Sequence, residues 1–343
     1  MTVLFVYCWD GFEDSFLKKD VGLFPEYFSK VCGEPLESVI FRSENNKNYI
    51  SFVLNFFFFR RLLIRESKYI ILFHVSLRTA VLSFLLKLIN RKAKIIIKSD
   101  ISISNIKYFK LREKTLKFKL IRYFNKSVDF FCIETSTAID ELEKNIPDFL
   151  GAEKIYLLPN GVDFIDVRDV RKDLKTVTII TRDDSMLKGF DRIPEVLSNI
   201  TSDSNYKINI IGSLTDKTKE KIIRSNNNLN VVFHDVKNRK EVFEILQESN
   251  VFLNFSYEES YCFALIEAAM ANCHIITTPV GVSKDLNAVY KKMNVVDYNP
   301  EVFYQLLKKT CDNENIENDN VLIKNKYNWF NIVSGFNNYI RGQ

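Results

Sequence analysis

The chain has 343 residues, 46% hydrophobic and 27% charged, the balance of a soluble globular protein with room for two domains, each with its own core. Three histidines exclude a His-rich zinc site, and six scattered cysteines without a Cys-x-x-Cys pair read as reduced, buried thiols rather than a disulfide framework. The net charge of +5 conceals an asymmetry: residues 51–126 hold 18 Lys and Arg against Glu66, Asp100 and Glu113, a local balance of +15 that leaves the remainder at −10.

Strand-like apolar runs alternate with helical ones along the chain. Val3–Tyr7, Ser38–Phe41, Ile70–His74, Lys94–Lys98, Phe130–Glu134 and Ile155–Leu158 are the strand expectations of the first half. After a polar link around Asp163–Lys175 the pattern restarts with Thr176–Thr181, Lys207–Ile211, Val231–Phe233, Val251–Phe255 and Ile275–Thr277. Such alternation predicts an α/β protein of two Rossmann-like domains, each a parallel sheet wrapped by helices. Ligands of these sheets bind beyond the carboxyl ends of the strands, so a cleft between facing domains is the expected site. Gly22 is expected in a loop after the first strand, where glycine lets backbone approach a ligand closely. Asp20 beside it either touches that ligand or caps a helix. His74 ends another strand and either faces the cleft or is structural. Asp312–Asn320 is polar and reads as a loop.

The stretch Ser256-Tyr-Glu-Glu-Ser-Tyr-Cys-Phe-Ala-Leu-Ile-Glu267 carries the most chemistry. It comes after an apolar run of strand length and runs into a buried helix-forming segment, Phe263 to Met270. A helix opening near Tyr261 aims free N–H groups and its positive dipole end at the preceding loop, a ready place for a diphosphate. Glu259 would sit just outside the helix mouth. Glu267, about two turns in and roughly 10 Å along the axis, leans back toward the N-terminus. One carboxylate can take sugar hydroxyls and the other ribose hydroxyls, with the diphosphate between them, so the spacing fits a nucleotide-sugar.

This segment resembles the Glu-x7-Glu signature of the retaining GT-B glycosyltransferases of family 4. The resemblance extends through Leu158-Pro-Asn-Gly-Val-Asp163, Arg182 with Lys188-Gly189, Ile208-Asn-Ile-Ile-Gly212 and Thr278-Pro-Val-Gly281, in the family's order and covering about residues 155–290. It implies a nucleotide-sugar-binding domain at 163–324, an acceptor-side domain at 1–162, and a C-terminal helix within 325–343 that packs back on the first domain. It further implies that Arg182 and Lys188 neutralise the departing diphosphate, that Glu259 orients the transferred sugar, and that Glu267 holds the ribose. Amides near Tyr261, Cys262 and Phe263, with Gly22, add to the donor cradle. Asp20, Asp100 and His74 are the acceptor-side candidates. No metal or other cofactor is implied, and Asp183-Asp184 is not an Asp-x-Asp metal motif.

The chain departs from the family pattern in two places. Lys98-Ser99-Asp100 stands where many members carry a His beside the donor sugar, and Asp100 either binds a sugar hydroxyl or caps the segment after it. Ser260 and Cys262 replace two glycines common after the first Glu. These departures keep a non-catalytic nucleotide-sugar-binding protein in view as the alternative. A sugar-nucleotide epimerase would need an acid/base set that so few histidines hardly supply, and a dinucleotide oxidoreductase would need a Gly-x-Gly-x-x-Gly after a strand.

The resemblance makes a nucleotide-diphosphate sugar and a glycan or polyprenyl-linked acceptor the expected partners. Phe52, the run Phe56 to Arg65, and Lys107 to Lys126 interleave basic with apolar residues at helical spacing. That pattern suits either an anionic membrane surface or a solvated basic helix face. No nucleic-acid motif accompanies the charge. No uncharged run reaches membrane-spanning length, and the first residues form a strand without a basic leader, so the expected place is the cytoplasm, on the inner face of the membrane.

Overall fold

The computed structural model describes residues 1–8, 13–40, 57, 60–162, 172–201, 205–312 and 320–343. Phe52, Phe56, Phe58 and Phe59 of the aromatic run, Phe41, Asp163 and most of the polar stretches after Asp163 and Asp312 lie outside them. The chain divides into two compact units, Met1–Gly161 with Trp329–Gln343, and Val162–Asn328.

The first unit is built on a parallel sheet that holds six strands among the described residues, in the order β2-β1-β3-β4-β5-β6. The strands are β1 (Thr2–Tyr7), β2 (Leu36–Ile40), β3 (Ser67–Phe73), β4 (Lys94–Ser99), β5 (Phe130–Ile133) and β6 (Ile155–Leu157). Their apolar runs are continuous because both faces are covered. Leu4, Val6, Ile70, Leu72, Ile95, Ile97 and Phe131 pack into one layer with helices Leu77–Ile89 and Leu116–Phe124. Val3, Phe5, Tyr69, Ile71, Phe73 and Ile96 pack into the other, against helix Asp20–Cys32 and the C-terminal helix Trp329–Gly342. Tyr27 stacks on Trp329 at 6.2 Å between ring centroids, and Phe336 meets Phe24, Phe28 and Tyr156. Helix Leu77–Ile89 starts where it does because Ser76 and Thr79 form a reciprocal capping box.

The second unit repeats the plan with β7 (Asp173–Ile180), β8 (Lys207–Ile211), β9 (Asn230–His234), β10 (Ser249–Asn254), β11 (His274–Thr277) and β12 (Met293–Val295). Their order is β12-β11-β10-β7-β8-β9, again all parallel. The order runs outward in both directions from neighbouring β7 and β10, the reversal that opens a ligand crevice at the carboxyl ends of such strands. The segment Asn320–Lys326 is a helix of this unit: Ile323 and Tyr327 are buried in its core, and Asn320 donates to the Met270 carbonyl. Helix formation toward the C-terminal brace therefore restarts at Trp329 rather than running on from 325.

Candidate functional site

In the second unit, β7 and β10 deliver the residues that the sequence singles out. The turn after β7 carries Arg182, whose Nε lies 3.1 Å from Asp184 Oδ1 with both side chains more than half exposed. Asp183 ties the turn to the next helix by accepting from the Thr215 N–H and hydroxyl at 2.7 and 2.6 Å, bonds that lower its pKa. A short 3-10 turn then presents Lys188 and ends at Gly189, whose φ of +65° is the left-handed region. Here glycine is required twice over, because a Cβ would also run into the Phe255 carbonyl oxygen at the end of the β10 region. Tyr257 N–H donates to the Leu187 carbonyl at 2.8 Å, and Arg192 holds the Phe255 carbonyl while lying over Tyr257, 3.4 Å from the ring centroid. The two loops are thereby clamped face to face.

The clamp brings Lys188 Nζ within 2.7 Å of both carboxylate oxygens of Glu259, with Ser256 Oγ 3.0 Å from Oε1. Beyond it the backbone turns through Cys262 at φ +67°, and helix Phe263–Met270 begins. The helix thus opens two residues later than Tyr261, which is buried and uses its carbonyl to accept from Val282 N–H. A non-glycine residue at this φ costs about 1–2 kcal/mol, which gives a physical reason for glycine to be common here in the resembling family. Burial pushes the Cys262 thiol well above its usual range, so it is a packing residue. Glu267 lies one turn into the helix and accepts from Arg239 Nε at 2.9 Å. Burial raises its pKa against the opposing charge of Arg239. Glu259 and Glu267 are alike: each side chain is 13% exposed, and each carboxylate is held by one cation. Arg239 is absent from the sequence-based candidates; it follows the Asn238 cap of helix Arg239–Glu248, and only the fold brings it to Glu267.

In the first unit His74 and Asp100, named separately from the sequence, come together. His74 comes after β3 at φ +64°, and its Nδ1 donates to Asp100 Oδ1 at 2.6 Å. Burial disfavours the imidazolium, but the hydrogen bond and charge of Asp100, helped by Asp20 and Glu134, outweigh it and raise the pKa. Both residues line a cavity of about 620 Å³.

Two expectations need correction. Gly22 is not in a loop: it lies in the first turn of helix Asp20–Cys32, buried, where a Cβ would strike the Leu17 backbone, so its small size serves packing. Asp20 opens the same helix without capping it, and neither residue lines the cavity. Lys98, considered beside Asp100 as a substitute for a ligand-lining His, is fully buried 2.6 Å from Glu134 Oε1. Its pKa is raised by Glu134 against burial, and burial pushes Glu134 up to about 7.

Residues 163–329 match the family model described as glycosyl transferases group 1. Over 207 residues, 54% of this chain, the sequence is 26% identical to a subunit of phosphatidylinositol N-acetylglucosaminyltransferase from Homo sapiens, and the match spans 40% of that protein's length. Among solved structures, the apo form of the lipopolysaccharide outer core galactosyltransferase WaaB superposes with a TM-score of 0.71 at 13% identity, covering 100% of this chain and 99% of its own. An Anabaena protein, HepE, solved in complex with UDP and glucose, superposes with a TM-score of 0.66 at 10% identity over 100% of both chains. The chain carries a glycosyltransferase domain, and its two parallel-sheet units give it the GT-B fold.

Proposed function

We propose that this chain, starting from its glycosyltransferase domain at residues 163–329, moves a hexose-type sugar from a nucleotide-diphosphate sugar to a glycan or lipid-linked acceptor with retention of anomeric configuration. The observation that carries the reading is the matched pair Lys188–Glu259 and Arg239–Glu267, the two carboxylates eight residues apart at the mouth and in the first turns of one helix. On this reading Glu267 takes the ribose hydroxyls and Glu259 the transferred sugar. Arg182 and Lys188 neutralise the charge that develops on the departing diphosphate, the largest single contribution such a site makes. Two fixed cations supply that neutralisation without a metal ion. The leaving diphosphate itself assists removal of the acceptor proton, and the protein holds the reacting groups in register. Support for a diphosphate donor comes from the UDP and glucose bound to HepE.

A role in bacterial surface-polysaccharide assembly, at the cytoplasmic face of the membrane, completes the proposal. It is supported by the fold shared with WaaB and by the exposed cations of residues 107–126. Among the described residues no helix is long and apolar enough to cross a membrane. The experiment is donor hydrolysis: release of nucleoside diphosphate from one sugar-nucleotide, lost on Lys188→Ala, supports the transferase. No release from any common donor, with nucleotide binding intact, would favour the non-catalytic binding protein.

A further inference from the structure

The cavity in the first unit is not matched to a neutral sugar alone. Its lining includes His74, Asp100, Ser76 and Asn105, a cluster of hydroxyl-binding groups. Much of the remaining wall is aliphatic and aromatic, with Val75, Leu77, Ile101, Phe109, Phe118 and Ile121. Two further cations enter the lining, Arg112 and Lys117. The Arg112 guanidinium lies 4.2 Å from the Tyr108 ring centroid, an aromatic contact that fixes its position without consuming its charge. Among the described residues Asp100 is the one carboxylate of the lining, and it is already bonded to His74. With the imidazole neutral the described lining residues therefore carry a net charge of +1, and with it protonated +2.

Arg112 and Lys117 belong to the segment formed by helices Ile103–Leu111 and Leu116–Phe124, whose polar connecting turn, Arg112 to Thr115, is flanked by two exposed leucines. Leu111 is 87% exposed and Leu116 73%, and the two flank the short turn that bears Arg112 and Lys114. Exposed leucines, cations and part of the cavity wall are thus supplied by one segment. A neutral glycan would use neither the cations nor the leucines. An anionic group set between a polar head and an apolar chain uses all three.

We propose that this cavity binds the acceptor, and that the acceptor is a phosphate-bearing amphiphile: a hydroxyl-bearing head at His74–Asp100, a phosphate at Arg112 and Lys117, and an apolar chain leaving over Leu111 and Leu116. The inference rests on the transferase reading and narrows its acceptor from glycan or lipid-linked to lipid-linked. Phosphate at a pinned guanidinium and an ammonium makes charge-assisted hydrogen bonds, and the chain buries apolar surface on the two leucines.

The test is calorimetric titration of the full chain with decyl phosphate, decyl maltoside and inorganic phosphate, the amphiphiles kept below their micellar concentrations. Decyl phosphate should bind with one-to-one stoichiometry, about tenfold or more tighter than either of the others, because each lacks one of the two features. Arg112→Gln with Lys117→Gln should lower that affinity about tenfold or more while leaving nucleoside-diphosphate binding by the second unit unchanged. Both side chains are exposed, so the double variant keeps its fold. Equal binding of decyl maltoside, equal binding of inorganic phosphate, or an unaltered affinity in the double variant would each overturn the proposal. Failure of the transferase reading has a different signature: decyl phosphate would bind but no nucleoside diphosphate would.

Discussion

Lys188 Nζ lies 2.7 Å from each carboxylate oxygen of Glu259, a symmetrical ion pair between residues 71 apart in the chain. It exists because Gly189 lets the 3-10 turn after β7 seat against the end of the β10 region. The pair joins two charges that the proposed reaction uses separately, Lys188 on the diphosphate and Glu259 on the sugar. Donor binding must therefore exchange one set of charge-assisted contacts for another.

Removing one partner leaves the other a mostly buried charge. Lys188→Ala should cost activity about 10²- to 10³-fold, the scale of losing one stabilising group at a developing charge. Because Lys188 and Glu259 interact directly, the double variant Lys188→Ala/Glu259→Ala should fall short of the product of the two single losses. Steady-state turnover of all four proteins measures the coupling, and strictly multiplicative losses would separate the two residues.

Gly189→Ala combines a left-handed backbone with a side chain driven into the Phe255 carbonyl. We expect destabilisation of about 1–3 kcal/mol from the backbone conformation alone, and loss of activity larger than the loss of folded protein, because the clamp that carries Lys188 must open. Chemical denaturation and turnover per folded molecule together check this. A variant of wild-type stability and activity would show that the clamp is dispensable.

The buried pair of Lys98 in β4 and Glu134 just after β5 gives a stability prediction in the first unit. Lys98→Met leaves a carboxylate with 3% side-chain exposure unpaired, and should cost about 3–5 kcal/mol. Replacing both, Lys98→Met/Glu134→Leu, should recover most of that, because neither charge then has to be desolvated. Urea midpoints of the single and double variants decide it; an equally unstable double variant would mean that the pair does more than neutralise itself.

The His74–Asp100 pair predicts a pH dependence with a definite sign. His74 has a folded-state pKa above its ordinary value, so its contribution is fully present below about pH 6.5 and is lost as pH rises through the folded pKa. Asp100, lowered by His74 against burial, has its own contribution fully present above the usual carboxylate range and loses it as pH falls through the folded pKa. The melting-temperature gap between wild type and His74→Gln should therefore be widest near pH 6 and narrow toward pH 9. A gap that widens with pH would reverse the assignment.

Much of this is legible in the sequence, for reasons that can be named. Buried parallel strands read as largely apolar runs, and Lys207–Ile211 agrees to the residue, opening at Lys207 and closing where Gly212 follows. The edge strand β12 escapes a sequence reading: Met293–Val295 is three residues long, beside Lys291 and Lys292, too short for a pattern. The residue types proposed for the donor site are readable from spacing along one loop and helix. Their distant partners are not. Arg239 reaches Glu267 through the fold, whereas Ser256 is a local partner three residues before Glu259, and no local pattern announces Glu134 as the partner of Lys98. Gly22 misleads because a glycine in the first turn of a helix looks like a loop glycine until the Leu17 backbone is seen beneath it.

The most direct measurement is thermal stabilisation by UDP, GDP, ADP and CMP and their sugar conjugates, taken on wild type, Glu267→Ala and Arg182→Ala. A ligand at 100 times its dissociation constant stabilises the fold by about 2.7 kcal/mol, a readily measured shift. The account expects one nucleoside diphosphate to stabilise wild type, with the response lost in Glu267→Ala. It should be largely kept in Arg182→Ala, whose defect should lie in turnover, about two orders of magnitude. No response of wild type to any of these nucleotides, or an undiminished response in Glu267→Ala, would contradict it.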